Sequence, residues 1–144
     1  MKKHHTISLI LLALLLAVGL AILTHNFPFP GKTAKDFSLI TGSSQTCTPE
    51  EIQDAADAVL HYFKGFSGAT MTKLRYVDSF SSNETDNWAA DYGADKGMVF
   101  FSDFTVGDAT NTKLNPNSTY KDWQWYVIQT DAGDPLYDIG YRCC

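Results

Sequence analysis

The sequence predicts an α+β domain: a curved antiparallel sheet of about four strands packed on one long N-terminal helix, with a short second helix and an apolar segment before the domain. Three patterns predict this fold class. Apolar residues recur at helical spacing after residue 48, later stretches alternate between apolar and polar residues, and residues 7–23 form an uncharged apolar run. A long helix laid across a sheet is an economical way to bury both apolar faces.

Residues 7–23 are typical of an export signal, because Lys2 and Lys3 precede a run rich in Leu, Ala and Ile. At ~1.5 Å per residue the run covers ~26 Å, near the lower limit for spanning a bilayer. We expect residues 1–24 to be a retained membrane anchor, with a cleaved signal peptide as the alternative. The domain would then lie on the extracytoplasmic side of the cell membrane, or be secreted if the signal is cleaved.

Residues 25–47 are predicted to be a spacer between the anchor and the domain. They mix prolines, glycines and serines without a sustained period, which favours an extended or loosely packed chain. An edge strand that uses Phe37, Leu39 and Ile40 is the alternative. The domain itself is predicted to cover residues 48–144.

The first helix of the domain has a clear start signal. Thr48 and Glu51 match a capping box, and Pro49 suits the first helical turn. The helix is predicted to end at Gly65. The apolar residues of its core face recur at helical spacing: Ile52, Ala55, Ala56, Val59, Leu60, Phe63 and Phe66.

Four strands and a short helix are predicted to follow. The short helix opens with a capping signal at residues 81–84 and runs through Trp88 to Gly93. The predicted strands, where apolar and polar residues alternate, cover residues 69–80, 98–106, 122–130 and 136–141.

The second face of the predicted sheet is also apolar, with Val99, Phe101, Tyr126 and Ile128 opposite the core-facing residues. The long helix covers only one face, and the short helix is too small to cover the other. We therefore expect a homodimer or a protein partner on that face. The alternative is that residues 26–46 fold back over it.

Composition and motifs exclude several classes of function. With 11 Lys+Arg against 16 Asp+Glu, the formal net charge is −5, which argues against nucleic acid as a partner. The sequence contains no phosphate-binding glycine loop, serine elbow or metal-binding histidine cluster. No cofactor and no metal site are therefore predicted.

The three cysteines, Cys47, Cys143 and Cys144, lie near the two ends of the predicted domain. Because an exported protein can form disulfides, we expect Cys47 to bridge to Cys143 or Cys144. Metal binding by the vicinal pair is the alternative, but no nearby histidine or cysteine completes a tetrahedral site.

Three motifs carry a family resemblance: the run 88–95 (WAADYGAD), the strand segment 101–104 (FSDF), and the run 114–120 (LNPNSTY) followed by Trp123-Gln124-Trp125. They resemble motifs of small exported or membrane-anchored proteins of Gram-positive bacteria that carry a domain of unknown function. The order of elements resembles the nuclear-transport-factor-2-like cone, also called cystatin-like. The resemblance implies this cone fold for the domain and supplies no catalytic residues.

Asp103 is the candidate catalytic residue. Some enzymes of the cone fold use a pocket carboxylate as a proton-transfer base, and Asp103 lies mid-strand among aromatic residues. Strand alternation, however, puts Asp103 opposite the face of Phe100 and Phe104. The leading expectation is therefore a non-catalytic module that binds an unidentified ligand or protein at the cell envelope. A small cone-fold enzyme with Asp103 as general base and a purely structural envelope component are the alternatives.

Overall fold

The computed structural model describes Leu14 and residues 29–81, 89–90, 94, 96–108, 113–129 and 137–142. Within these residues the chain forms five strands and two helices. In chain order they are β1 (Lys32–Ile40), α1 (Pro49–Phe63), β2 (Ala69–Tyr76), α2 (Asp78–Ser81), β3 (Lys96–Val106), β4 (Thr119–Gln129) and β5 (Tyr137–Arg142).

The strands form one mixed sheet in the order β1-β2-β3-β4-β5. β1 pairs in parallel with β2, and α1 makes the crossover between them, whereas β2 to β5 form an antiparallel meander. The predicted α+β fold, with a sheet covered by a helix, is confirmed. The sheet has five strands where about four were predicted. The prediction of an antiparallel sheet is wrong, because the parallel pairing of β1 makes the sheet mixed.

β1 lies inside the stretch that was predicted to be a loosely packed spacer, residues 25–47, and that prediction is corrected. Phe37 and Leu39 pack against the core, whereas Ile40 is 47% exposed. The interpretation of this stretch as an edge strand is therefore the correct one. Its sequence, KTAKDFSLI, offers few core-facing apolar residues, and its pairing with β2 shifts register between Thr33 and Ser38. A strand this irregular leaves little periodic signal.

α1 begins as its capping box predicts. The Glu51 N–H donates to Thr48 Oγ1 at 3.2 Å, and the Thr48 N–H donates to Glu51 Oε2 at 2.8 Å. The helix ends at Phe63, two residues before Gly65, and the N–H groups of Lys64 and Gly65 close the last turn on carbonyls of that turn. Its buried residues are those of the predicted apolar face: Ile52, Ala55, Ala56, Val59 and Phe63.

The space between α1 and the sheet is filled by aromatic side chains. Phe66 stacks near Phe63 and Trp125, each with ring centroids 5.3 Å away, and Phe104 lies 5.4 Å from Trp123. Each such pair adds ~0.5–1.5 kcal/mol beyond the burial of its apolar area. This packing makes the helix side of the sheet the main core of the domain.

The second face of the sheet is covered at one end. Val99 is 0% exposed and Ile128 is 1% exposed, and Ile128 clusters with Ala89 and Ala94. Ala89 and Ala94, which lie between β2 and β3, therefore bury Ile128 within the chain itself. The expected homodimer or protein partner on the rest of this face stays a prediction. Phe101, farther along β3, is also only 7% exposed.

The helix α2, Asp78–Ser81, occupies the end of the stretch that was predicted as a strand over residues 69–80, because β2 ends at Tyr76. The short helix predicted from residues 81–84 to Gly93 is a different element, and of it the structure describes residues 89 and 90, which are helical. Most of the predicted short helix, residues 82–88 and 91–93, lies outside the described residues. The predicted anchor, residues 1–24, also lies outside them apart from Leu14. Among the helices that the structure describes, none is both long and apolar enough to cross a membrane.

Candidate functional site

Asp103, the residue that the sequence singled out, lies on β3 and faces away from α1. Met98, Phe100, Phe104 and Val106 alternate with it and are buried in the core under the helix. The side chain of Asp103 is 23% exposed, so it is neither enclosed in the core nor free in solvent. Its position matches the alternation that the sequence predicts and not the position of a pocket base.

Both carboxylate oxygens of Asp103 have partners. Oδ2 lies 3.4 Å from Lys73 Nζ, and Oδ1 accepts a hydrogen bond from the Asp122 backbone N–H at 3.0 Å. Asp122 has a φ of 52°, and the pairing of β3 with β4 shifts register between Ser102 and Phe104. The Asp103 carboxylate thus holds a β-bulge, where an extra residue leaves a backbone N–H outside the ladder. This is a structural task that accounts for a carboxylate at this position.

Arg75 joins the same cluster from β2. Its Nη2 donates to Asp122 Oδ1 at 2.6 Å, and its guanidinium carbon lies 4.8 Å from the centroid of the Phe101 ring. The side chains of Arg75 and Asp122 are 39% and 60% exposed. We call the surface of Lys73, Arg75, Asp103, Asp122 and Gln124 the open face, because it is the part of the second sheet face on which polar side chains reach solvent.

On the core side of the sheet, one polar side chain is fully enclosed. Ser102 is 1% exposed and accepts a hydrogen bond from Trp125 Nε1 at 2.8 Å. Among the described residues, Ser102 is the one buried polar or charged residue, so no described histidine or carboxylate is buried with it. The core side of the sheet therefore brings together no described pair of titratable side chains.

A second surface feature lies at the C-terminal end of α1. An open groove of about 360 Å³ runs between this helix end and the start of β1. Its floor is apolar, and two exposed lysines stand at its rim. The groove is lined by Gly31, Lys32, Thr33, Leu60, Phe63 and Lys64.

At the opposite end of α1, Glu51 and Lys96 form an ion pair with 2.9 Å between Oε1 and Nζ. The hydrogen bond from the Thr48 backbone, followed by that from Lys96, holds the pKa of Glu51 below its ordinary value. Glu51 in turn raises the pKa of Lys96. The pair ties the helix start to β3 and sits outside both surfaces described above.

Cys47 is buried just before α1, close to Ser44 and Thr46. Cys143 and Cys144 lie outside the described residues, so their pairing with Cys47 stays a prediction. Across the sheet, the first residue of β5, Tyr137, is level with Lys96, and its last residue, Arg142, is level with Phe101. Because Lys96 contacts the start of α1, β5 runs away from the helix start where Cys47 lies. Peptide mass mapping under non-reducing conditions tests the bridge directly, and a free Cys47 in native protein would contradict it. No group of three metal-binding side chains occurs among the described residues.

The sequence interpretation singled out Asp103 but missed the residues around it. Lys73 and Arg75 alternate on β2 as basic residues, and this pattern alone could have marked a charged sheet face. The groove left no signal, since it depends on how the start of β1 packs beside the end of α1.

Searches of family models, curated proteins and solved structures find no match for this chain. The resemblance to small exported Gram-positive proteins of the cone type therefore stays a prediction.

Proposed function

We propose that this chain is a membrane-tethered module of the cell envelope that binds a protein or another polar ligand, without catalysis, through the open face. The observation that carries the proposal is the contrast between the two sides of the sheet. The helix side is filled with aromatic residues, while the open face presents half-exposed charges in a fixed arrangement.

Arg75 is the residue on which the proposed binding depends most. Its guanidinium is already held over Phe101 and against Asp122, so little conformational freedom would be lost on binding. Arginine is also enriched among the residues that dominate binding energy, because its planar donors match carboxylates and phosphates.

The ion pairs of the open face can exchange partners at low cost. Exposed pairs of this kind contribute only ~0–1 kcal/mol to stability, so a ligand that replaces Asp122 or Asp103 as partner loses little in doing so. Two cations and two anions also make the face roughly neutral, which suits a partner of mixed polarity rather than a polyanion.

The alternative of a small cone-fold enzyme with Asp103 as general base has no observation in its favour. Both carboxylate oxygens already have partners, and Asp103 lies on the sheet face opposite the aromatic core. A general base needs an oxygen within reach of the proton that it removes.

Photo-crosslinking in intact cells tests the binding surface. A photoreactive residue at Gln124, on the open face, should give a discrete adduct that disappears when Arg75→Ala is added. The matched control is the same residue at Asp57, which is exposed on α1. Equal adducts from both positions, or none from Gln124, would contradict the proposed surface.

The topology has its own test. With the wall removed, protease added to intact cells should digest the domain if it lies outside the cytoplasm. Protection until lysis would refute the extracytoplasmic location, and a mature chain that starts near residues 22–27 would replace the anchor by a cleaved signal.

A further inference from the structure

We infer that the end of the domain formed by Phe29, Lys32, Leu60 and Lys64 lies directly on the bilayer and contacts anionic lipid headgroups. We call this surface the anchor-proximal end. The inference deepens the proposed function and rests on it, because it takes residues 7–23 as the membrane anchor.

The first argument is the length of the tether. The folded domain starts as early as residue 29: the Gly68 N–H donates to the Phe29 carbonyl at 2.8 Å, and the Gly31 N–H donates to the Lys64 carbonyl at 3.0 Å. Only residues 24–28 then separate the anchor from the domain, and five residues span at most ~18 Å. The predicted spacer of residues 25–47 would have allowed ~80 Å.

This short tether fixes which end of the domain faces the membrane. A compact domain of this size is ~30 Å or more across, since its radius of gyration is ~13 Å. A tether of ~18 Å cannot pass around it. The end at which the chain enters, beside the C-terminus of α1, is therefore the end that stays near the lipid.

The second argument is the distribution of charge. The acidic residues of α1, which are Glu50, Glu51, Asp54 and Asp57, all lie in its first nine residues, and Lys64 follows its last. Along the helix axis these acids lie from ~10 Å (Asp57) to ~20 Å (Glu50) from Lys64, and the Debye length at physiological ionic strength is ~8 Å. The acidic end thus points away from the membrane, while Lys32 and Lys64 face it.

The third argument is the shape and polarity of the anchor-proximal end. Phe29 is 71% exposed, and beside it lies the groove of about 360 Å³ with an apolar floor and the two lysines at its rim. An anionic lipid presents a phosphate above an acyl chain, which matches cations above an apolar floor. Exposed Phe side chains, like those of Trp and Leu, also bury favourably at the boundary between lipid headgroups and acyl chains.

Quenching by brominated lipids tests the contact in the full-length chain. The chain would be placed in vesicles of phosphatidylcholine, alone or mixed with phosphatidylglycerol, and Phe29→Trp compared with Ile40→Trp. Ile40 is a matched control because it is also exposed, at 47%, but lies at the other end of β1, ~26 Å from Lys32. Fluorescence of the unsubstituted chain is subtracted.

We expect strong quenching of the Phe29→Trp chain and little quenching of the Ile40→Trp chain. Replacing Lys32 and Lys64 together by Gln should reduce quenching at position 29 at least about two-fold in the anionic vesicles and leave it unchanged in phosphatidylcholine alone. Equal quenching at positions 29 and 40 overturns the inference. So does quenching at position 29 that is the same in both kinds of vesicle and is unchanged when Lys32 and Lys64 are replaced.

Flotation separates this inference from the proposed function. A chain that stays with the vesicles through an alkaline carbonate wash carries an anchor, so a failure of the quenching test then counts against the contact alone. A chain that does not float with either vesicle overturns the anchor and the contact together.

Discussion

Gly31 is the position at which the attachment of β1 to the rest of the domain can be tested most sharply. A methyl group placed there would overlap the carbonyl oxygen of Phe63 and lie 2.9 Å from that of Phe66. Both oxygens belong to the backbone around the end of α1 and cannot rotate away. Gly31→Ala therefore forces the chain of residues 29–32 away from the helix.

The size of the effect follows from what this movement breaks. Two hydrogen bonds hold the segment, from Gly31 N–H to Lys64 O at 3.0 Å and from Gly68 N–H to Phe29 O at 2.8 Å. Each contributes ~1 kcal/mol, and overpacking at a buried site costs ~1–3 kcal/mol. We expect Gly31→Ala to lower the free energy of unfolding by ~3–5 kcal/mol, a large part of the ~5–15 kcal/mol of a typical domain.

Gly107→Ala is the matched control. Gly107 also makes a backbone hydrogen bond to Gly68, but the nearest atom to an added methyl is the Gly68 carbonyl oxygen at 3.4 Å, an ordinary contact. Its free energy of unfolding should stay within ~1 kcal/mol of the parent chain. Urea unfolding of the full chain in mild detergent, followed by the fluorescence of buried Trp123 and Trp125, measures both variants. If Gly31→Ala is as stable as Gly107→Ala, residues 29–31 do not pack on the helix end.

Three further substitutions test local contacts by the same unfolding measurement. Glu51→Gln should lower the free energy of unfolding at pH 7 by ~0.5–1 kcal/mol and reduce the loss of stability at acid pH. Folding lowers the pKa of Glu51, so the stabilisation by its carboxylate is present above the ordinary pKa of 4.5 and is lost as the pH falls through the lower folded value. Parallel stability–pH profiles of the variant and the parent chain would contradict this. Asp103→Asn should change stability by less than ~1 kcal/mol, because the amide oxygen still accepts from the Asp122 N–H; a gain of several kcal/mol would instead indicate a desolvated pocket carboxylate. Ser102→Ala removes the acceptor of Trp125 Nε1 and should cost ~1–3 kcal/mol, and an unchanged midpoint would place this hydrogen bond outside the native core.

The elements that the sequence predicts well are those with strong local signals. The capping box of Thr48 and Glu51 and the helical spacing from Ile52 to Phe63 are local, and the structure has both. The strands β3 and β4 also follow the predicted alternation, because one face of each packs on the helix. β2 departs from it, because a register shift between Met71 and Lys73 places Met71 in the core with Leu74 and Tyr76.

The sequence offers β1 only as the alternative to a spacer, because its place in the sheet is decided by distant contacts. Most of its side chains are exposed, and only Phe37 and Leu39 pack on the core. What attaches it is parallel pairing with β2 and the close approach of Gly31 to the end of α1. Neither the parallel partner nor the close approach leaves a periodic pattern in the sequence.

The surroundings of Asp103 were out of reach for a related reason. Alternation gives the face on which Asp103 lies, but its contacts depend on irregular register between β3 and its two neighbours. The bulge at Asp122 brings a backbone N–H to the carboxylate, and the register of β2 brings Lys73. Asp103, the candidate base of the sequence analysis, thus accepts a backbone hydrogen bond from Asp122 in the fold.

The two proposed surfaces fit together on one molecule. β1 and β2 run in the same direction from the anchor-proximal end, with Lys32 paired to Thr70 and Ile40 paired to Arg75. Arg75 thus lies five residues beyond Thr70, or ~17 Å farther from the bilayer, which is more than a Debye length. If the strands run roughly along the membrane normal, the open face is perpendicular to the membrane plane. A partner can then reach it from the side. A bilayer contact at Phe29 therefore orients the open face and leaves it uncovered.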